Sequence, residues 1–120
     1  MPQNPLVSPL GNPNKLLVVV TSLPNMEAAT VLAKSLVEAQ LAACVQINDG
    51  IFSVYRWEGK ICEEQEILLS AKTMARQWEE ICAFIKESHP YDLPEILAFS
   101  PEQCDQQYAH WVSSEVNSKV

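Results

Sequence analysis

The alternation of hydrophobic and polar residues is clearest between Cys44 and Lys72, where it predicts two long β-strands. Val, Ile, Phe and Tyr are enriched on both sides of Glu58-Gly59, a two-residue link whose glycine suits the positive φ of a tight turn. A change of phase at Asp49-Gly50 predicts a bulge or a bend in the first strand. We therefore expect one long hairpin. Because cross-strand partners keep a constant index sum, its predicted pairs are Trp57 with Lys60, Tyr55 with Cys62, Ser53 with Glu64 and Ile51 with Glu66.

This register sorts the side chains of the hairpin onto two faces. One face is aromatic and charged and carries Trp57, Tyr55, Glu64, Glu66, Leu68 and Lys72. The opposite face is more apolar and carries Phe52, Val54, Ile61, Ile67, Leu69 and Ala71. We expect the apolar face to lie against helices of the same subunit, which leaves the aromatic and charged face to meet something else.

The length of the hairpin predicts self-association. About 13 residues per strand at ~3.3 Å each give arms of roughly 40 Å, whereas a compact domain of this size has a radius of gyration of only about 13 Å. The hairpin should overhang its own domain and leave backbone edges unpaired, which proteins cover or pair with another chain.

The remaining pattern predicts an α+β fold of the ferredoxin-like type. The expected elements are a strand over Lys15 to Thr21, a helix capped by Asn25 and running to about Gln40, a helix from Thr73 or Met74 to near Ser88, a strand over Ile96 to Phe99, and a last helix beginning at Ser100 or as late as Asp105. The order β-α-β-β-α-β plus a C-terminal helix is the split βαβ pattern, with helices on one sheet face and the other face open. Trimeric or dimeric association would cover the open face.

The chain divides into an arm and one domain. Residues 1–14 hold four of the eight prolines and no hydrophobic period, so we expect a disordered arm followed by a single domain over 15–120.

Charge and composition exclude several classes of function. Fifteen Asp and Glu against eight Lys and Arg give a net charge of -7, which argues against nucleic acid or an anionic membrane as partner. The apolar run Leu16 to Val20 is too short to span a bilayer, and no export signal opens the chain, so we expect a soluble cytoplasmic protein. The four cysteines lack metal-site spacing and should be reduced.

Several motifs together resemble one known family. They are Leu41-Ala42-Ala43-Cys44-Val45, Tyr55-Arg56-Trp57-Glu58-Gly59, Glu64, Glu66, Lys72-Thr73, His89-Pro90-Tyr91, Pro94-Glu95-Ile96, Tyr108 and Trp111. In this order, over about Leu16 to Val116, they are similar to the CutA family of divalent cation tolerance. The resemblance implies a ferredoxin-like homotrimer, similar in architecture to the PII signalling proteins and associated with copper and other divalent cations.

Only part of the copper-ligand pattern implied by the resemblance is present in this chain. The resemblance implies that family members that ligate copper have a cysteine just after the first strand and paired histidines before Pro-Tyr. This chain has Thr21 at the first place and Ser88-His89 at the second. His89 is therefore the candidate metal ligand, for Cu(II) or another divalent cation bound weakly and not required for folding. One imidazole makes a weak copper site. The alternative is that His89 is a positioned hydrogen-bonding or stacking residue.

The candidate binding site is a cleft between subunits. Its predicted residues are Tyr55, Trp57, Glu64, Lys72, His89, Tyr91, Glu95 and Trp111. Glu64 and Glu66 should project to one face about 7 Å apart and suit a cation or a paired cationic group, or they form a solvated strand face. Lys72 needs a partner from another element or subunit, such as Glu95. The aromatic residues either pack an interface or line the cleft.

We expect a binding protein and not an enzyme, because the chain has no glycine-rich phosphate loop and no GxSxG motif. The cleft could take a divalent metal ion or, as in PII-like sensors, a small metabolite. Two alternatives remain open: an enzyme that uses His89 as acid or base, and a structural adaptor whose cleft stays empty.

Overall fold

The computed structural model describes residues 12–118, which form a four-stranded antiparallel sheet and three α-helices. The elements are β1 (Leu16–Leu23), α1 (Met26–Glu38), β2 (Cys44–Trp57), β3 (Lys60–Met74), a 3₁₀ turn (Ala75–Gln77), α2 (Trp78–Ser88), β4 (Leu97–Phe99) and α3 (Gln106–Glu115). The strand order is β2-β3-β1-β4. The predicted ferredoxin-like α+β fold is confirmed. No helix within residues 12–118 has the length and apolarity needed to cross a membrane.

The β2-β3 hairpin has the predicted register. Trp57 pairs with Lys60 across a turn in which Glu58 and Gly59 have φ of 50° and 79°, as a tight turn with two positive φ values requires. The register shifts between Asn48 and Ile51, at the predicted bulge. With strands of 14 and 15 residues, the domain measures 52 × 34 × 26 Å and has a radius of gyration of 15.9 Å, above the ~13 Å of a compact chain of this size.

The main core lies between one sheet face and the helices α1 and α2. Strand residues such as Val19, Leu69 and Ala71 pack against Leu36 of α1 and Ile81 of α2, and all five are inaccessible to solvent. Asn25 caps α1, as predicted, by accepting a hydrogen bond from the Ala28 amide at 2.8 Å. The apolar side chains that strand and helix periodicity place on one side of each element therefore pack into one core layer.

The apolar face of the hairpin does not lie wholly against helices. Ile67, Leu69 and Ala71 are buried, but Phe52, Val54 and Ile61 are 59, 61 and 66% exposed. The expectation is wrong for these three residues within a single chain, because the outer half of the hairpin extends past the helices.

The opposite sheet face is not fully open, because α3 covers one end of it. Val112 and Val116 pack there against Leu16 and Met74. Arg76 fixes the end of α3 through hydrogen bonds that include one from Nη2 to the carbonyl oxygen of Ser113 at 2.8 Å, which satisfies a carbonyl at the helix C-terminus. The prediction that all helices share one face is therefore corrected.

The start of the second helix differs from the prediction, and the start of the last helix agrees with one of its two predicted alternatives. β3 continues to Met74, where it pairs with Leu16, so the helix expected from Thr73 or Met74 begins only at Trp78. The last helix follows the later alternative, because Asp105 caps it by accepting from the Tyr108 amide at 2.9 Å. Of the predicted arm, residues 1–11 lie outside the described part of the chain.

Candidate functional site

A cleft of about 710 Å³ opens between the outer half of the hairpin and the loop that follows α2. We call it the hairpin cleft. Its lining residues are Ser22, Ser53, Val54, Tyr55, Trp57, Glu64, Glu66, Pro90, Tyr91, Asp92, Leu93 and Glu95. The volume falls in the range of small-molecule sites, roughly 300–1,000 Å³.

Glu66 and Tyr91 connect the two sides of the hairpin cleft. The Tyr91 hydroxyl donates a hydrogen bond to Oε2 of Glu66 at 2.6 Å, and Glu66 is only 8% exposed. Burial, followed by the hydrogen bond to Glu66, raises the pKa of Tyr91 well above its ordinary value. Tyr91 therefore remains a neutral phenol that donates to the carboxylate.

A second phenol–carboxylate pair lies two residues further out on the same strand face. The Tyr55 hydroxyl donates to Oε1 of Glu64, and both side chains are exposed. The hydrogen bond to Glu64 is the largest cause that raises the pKa of Tyr55 to about 12. The cleft thus carries two neutral phenols, each bonded to a carboxylate.

His89 lies behind the cleft and orients the loop. The Tyr91 amide donates to Nδ1 of His89 at 3.1 Å, so Nε2 carries the proton and donates to the Ser22 carbonyl oxygen at 2.8 Å. The His89 and Tyr91 rings lie 4.9 Å apart. Burial lowers the pKa of His89, and this effect outweighs the opposing influence of Ser22 and Glu66. The imidazole is therefore neutral and positions Tyr91.

The donor set does not fit a metal ion within one chain. Both ring nitrogens of His89 are hydrogen-bonded, and a metal would have to displace the Tyr91 amide from Nδ1. Residues 12–118 contain no group of three or more His, Cys, Asp or Glu side chains that could hold a metal ion. His89 as a metal ligand stays a prediction, and it would need ligands from outside one subunit.

The charge of the hairpin cleft is uniformly negative. Its lining includes the carboxylates of Glu64, Glu66, Asp92 and Glu95, and no Lys, Arg or His from the described residues lines it. Four carboxylates without a neighbouring positive side chain create a negative potential in the cleft. The cleft therefore favours a positively charged ligand.

Comparison with known proteins identifies the family. Residues 17–115 match the family model described as CutA1 divalent ion tolerance protein. This stretch is most of the chain. The chain belongs to the CutA family.

Individual relatives agree with this assignment. The chain is 41% identical over 95 residues to the divalent-cation tolerance protein CutA of Thermus thermophilus, an alignment that covers 79% of this chain and 92% of that protein. It is 35% identical to human protein CutA, over 83% of this chain but only 56% of the human protein. The relative from Thermus thermophilus is named for divalent-cation tolerance.

Solved CutA structures share the fold. The structure from Thermus thermophilus superposes with a TM-score of 0.82 at 38% identity, covering 85% of this chain and 99% of the other. The CutA1 structure from Oryza sativa gives 0.84 at 36% identity, covering 88 and 96%. The likeness therefore extends over nearly the whole CutA domain.

Two residues predicted for the cleft lie elsewhere in this CutA-family chain. Lys72 donates a hydrogen bond to Gln46 at 2.6 Å, near the start of β2. Trp111 lies on α3 beside Tyr108, with ring centroids 5.8 Å apart. Neither residue lines the hairpin cleft of this chain. Their place in a cleft between subunits stays a prediction.

Five of the predicted cleft residues do line the hairpin cleft: Tyr55, Trp57, Glu64, Tyr91 and Glu95. The predicted site omitted Ser53 and Glu66, although strand alternation places both on the face of Tyr55 and Trp57. It also omitted Asp92 and Leu93, because an irregular loop has no period from which the direction of a side chain can be predicted. Their position next to Tyr91 was the available signal.

Proposed function

We propose that this CutA-family chain acts in divalent cation tolerance as a cytoplasmic homotrimer that binds a ligand in the hairpin cleft. The observation that carries the proposal is the hairpin itself, which extends past its own helices and forms one wall of the cleft. Family membership supports the link to divalent cations. The negative charge of the cleft supports a positively charged ligand.

Self-association is supported by what the hairpin leaves uncovered. β2 is an edge strand of 14 residues in the sheet of one chain, and long exposed edges are usually paired or covered. Phe52, Val54 and Ile61 are exposed on the same face of the hairpin. Contact between neighbouring hairpins would remove both features from solvent.

Light scattering tests the assembly. The trimer has an expected mass of about 40 kDa, three times the 13.4 kDa of one chain. Val54→Lys should shift the mass toward 13.4 kDa, because it removes about 1–2 kcal/mol of valine burial per contact and adds a charge. Val31→Lys on α1 is the matched control, since both valines are 61% exposed. A monomeric wild type, or equal effects of the two substitutions, would contradict the proposal.

Calorimetry with copper tests whether the ligand is a metal ion. If His89 ligates copper in the assembly, His89→Ala should weaken binding by roughly tenfold or more. An unchanged isotherm removes His89 from the ligand set, and no heat with either protein removes copper as the ligand.

A second candidate is a PII-like sensor of a small metabolite. It is favoured by the size of the cleft and by the lack of a three-ligand group among residues 12–118. A metabolite that raises the melting temperature in proportion to its concentration would support it.

A further inference from the structure

We propose that the hairpin cleft binds an organic cation, specifically a flexible amine with two or more ammonium groups. This inference names the class of ligand for the proposed binding function and depends on it. Three features of the cleft support it: a buried carboxylate without a counter-charge, aromatic walls, and acidic groups on two opposite sides.

The buried carboxylate is Glu66. It is 8% exposed and lines the cleft. Its Oε2 accepts from Tyr91, but Oε1 accepts no hydrogen bond from residues 12–118, and no Lys or Arg among them pairs with it. His89, whose charge would be favourable, is neutral because its Nδ1 accepts a hydrogen bond from the Tyr91 amide. Among the described residues, Oε1 of Glu66 is not one of the fully enclosed polar atoms without a partner, so it is open to the cleft, where an ammonium group would supply the missing counter-charge.

Aromatic side chains also line the cleft. Tyr55 and Trp57 lie on the hairpin wall and Tyr91 on the loop wall. Aromatic faces attract ammonium groups, and they do so more strongly where water is excluded. The methylene groups of an alkylamine also bury well against Trp and Tyr. Carboxylates together with aromatic rings thus favour an amine over a hydrated metal ion.

The distribution of acids favours more than one ammonium group. Glu64 and Glu66 project from β3, whereas Asp92 and Glu95 belong to the facing loop. A cleft of about 710 Å³ has room for a ligand longer than a single small cation. A flexible diamine or polyamine can place one ammonium group at each wall.

A bare divalent ion fits these groups less well. It needs several oxygen ligands converging at about 2.0–2.6 Å, whereas residues 12–118 offer no group of three candidate ligands. Glu64 and Glu66 each already accept from a phenol. Ammonium groups bind to partners that are more widely spaced and less strictly oriented, because they attract carboxylates by charge and donate several hydrogen bonds.

Calorimetry on the full chain with hexamethylenediamine tests this inference. Hexamethylene glycol, which has the same length and no charge, is the control ligand. We expect the diamine to bind, the glycol to give no heat, and added salt to weaken the diamine. Glu66→Gln should weaken binding by roughly tenfold or more, since it removes a buried charge partner. Glu79→Gln, an exposed carboxylate on α2, should leave binding unchanged.

A second variant guards against misfolding of Glu66→Gln. Glu95 is exposed, so Glu95→Gln should fold normally and weaken the diamine by roughly two- to fivefold. Equal binding of diamine and glycol would overturn the inference, as would diamine binding that neither Glu66→Gln nor Glu95→Gln changes. If the diamine gives no heat while copper or a neutral metabolite binds a trimeric protein, this inference fails and the proposed function stands. If the protein is monomeric and binds none of them, the proposed function fails as well.

Discussion

Removal of one hydroxyl group tests how far the hairpin cleft depends on a buried phenol–carboxylate pair. In Tyr91→Phe, the ring and its contact with His89 remain, but Glu66 loses the hydrogen bond that its Oε2 accepts at 2.6 Å. Because Glu66 is 8% exposed, water cannot fully replace the lost donor. We expect Tyr91→Phe to lower the free energy of unfolding.

The size of this effect follows from the charge and burial of Glu66. A hydrogen bond to a charged group contributes about 1.5–3 kcal/mol, and the penalty for a buried acceptor left without a donor is of similar size. We therefore expect a loss of about 2–3 kcal/mol. The pair of Tyr55 and Glu64 provides a matched control, because its chemistry is the same and both side chains are exposed. In Tyr55→Phe, water can replace the phenol, so we expect little or no loss of stability.

Urea denaturation at one fixed protein concentration measures both variants, since the stability of an oligomer depends on concentration. The double variant Tyr91→Phe with Glu66→Gln should recover part of the loss, because a neutral amide is less costly to bury than a carboxylate. Equal losses in Tyr91→Phe and Tyr55→Phe would refute the reasoning. So would strictly additive losses in the double-mutant cycle, which would mean that Tyr91 and Glu66 are not coupled.

Three further predictions concern other groups. Thr73→Val should cost about 1–2 kcal/mol in urea denaturation, because the buried Thr73 hydroxyl donates to the Leu41 carbonyl at 2.6 Å. The equally buried Thr21 hydroxyl has no hydrogen-bond partner within residues 12–118, so Thr21→Val should be neutral or stabilising. Burial lowers the pKa of His89 below 6.5, so as the pH falls the unfolded chain binds a proton before the folded protein does. The free energy of unfolding should therefore decrease below pH 6.5, and it should decrease less in His89→Asn. Because the pKa of every tyrosine is raised, ultraviolet titration should detect less tyrosinate near pH 10 in the folded protein than in the unfolded chain.

The hairpin could be predicted because the residues that determine its turn and its strand pairing lie close together in the sequence. A glycine at the turn and an alternation of period two fix the register, so the pairing of Trp57 with Lys60 and the bulge at Gly50 follow from the sequence. The alternation tells which side chains share a face but not how far the helices extend along it. Phe52 and Leu69 have the same phase, yet one is exposed and the other buried. That difference depends on the lengths and positions of α1 and α2.

Element ends depend on partners that are distant in the chain. Helical spacing after Thr73 predicted an early start of the second helix, but pairing of Met74 with Leu16 keeps this segment in the sheet. Similarly, Arg76 hydrogen-bonds to Ser113 and Asn117, a contact across about forty residues that no local pattern indicates. Tertiary contacts override the local preference at these positions.

The predicted site was correct where strand alternation carried the information and incomplete elsewhere. Tyr55, Trp57 and Glu64 share one face of the hairpin and line the cleft. Lys72 shares that face as well, but it lies on the inner half of β3, where it donates a hydrogen bond to Gln46 near the start of β2, whereas the cleft is formed by the outer half of the hairpin. A shared face is therefore necessary but not sufficient for a shared site.

The rigidity of the loop wall bears on how the cleft would bind. His89 fixes the loop through hydrogen bonds with the Tyr91 amide and the Ser22 carbonyl. Pro90 and Pro94 restrict the backbone at the two ends of the segment 91–93. The walls are thus held in place before a ligand arrives, which reduces the entropy lost on binding. The same walls gather four carboxylates in one cleft, and the repulsion among these like charges is a cost that the empty cleft carries. A ligand with positive charge removes this cost only when bound, so it should stabilise the folded protein more strongly than a neutral ligand of equal size.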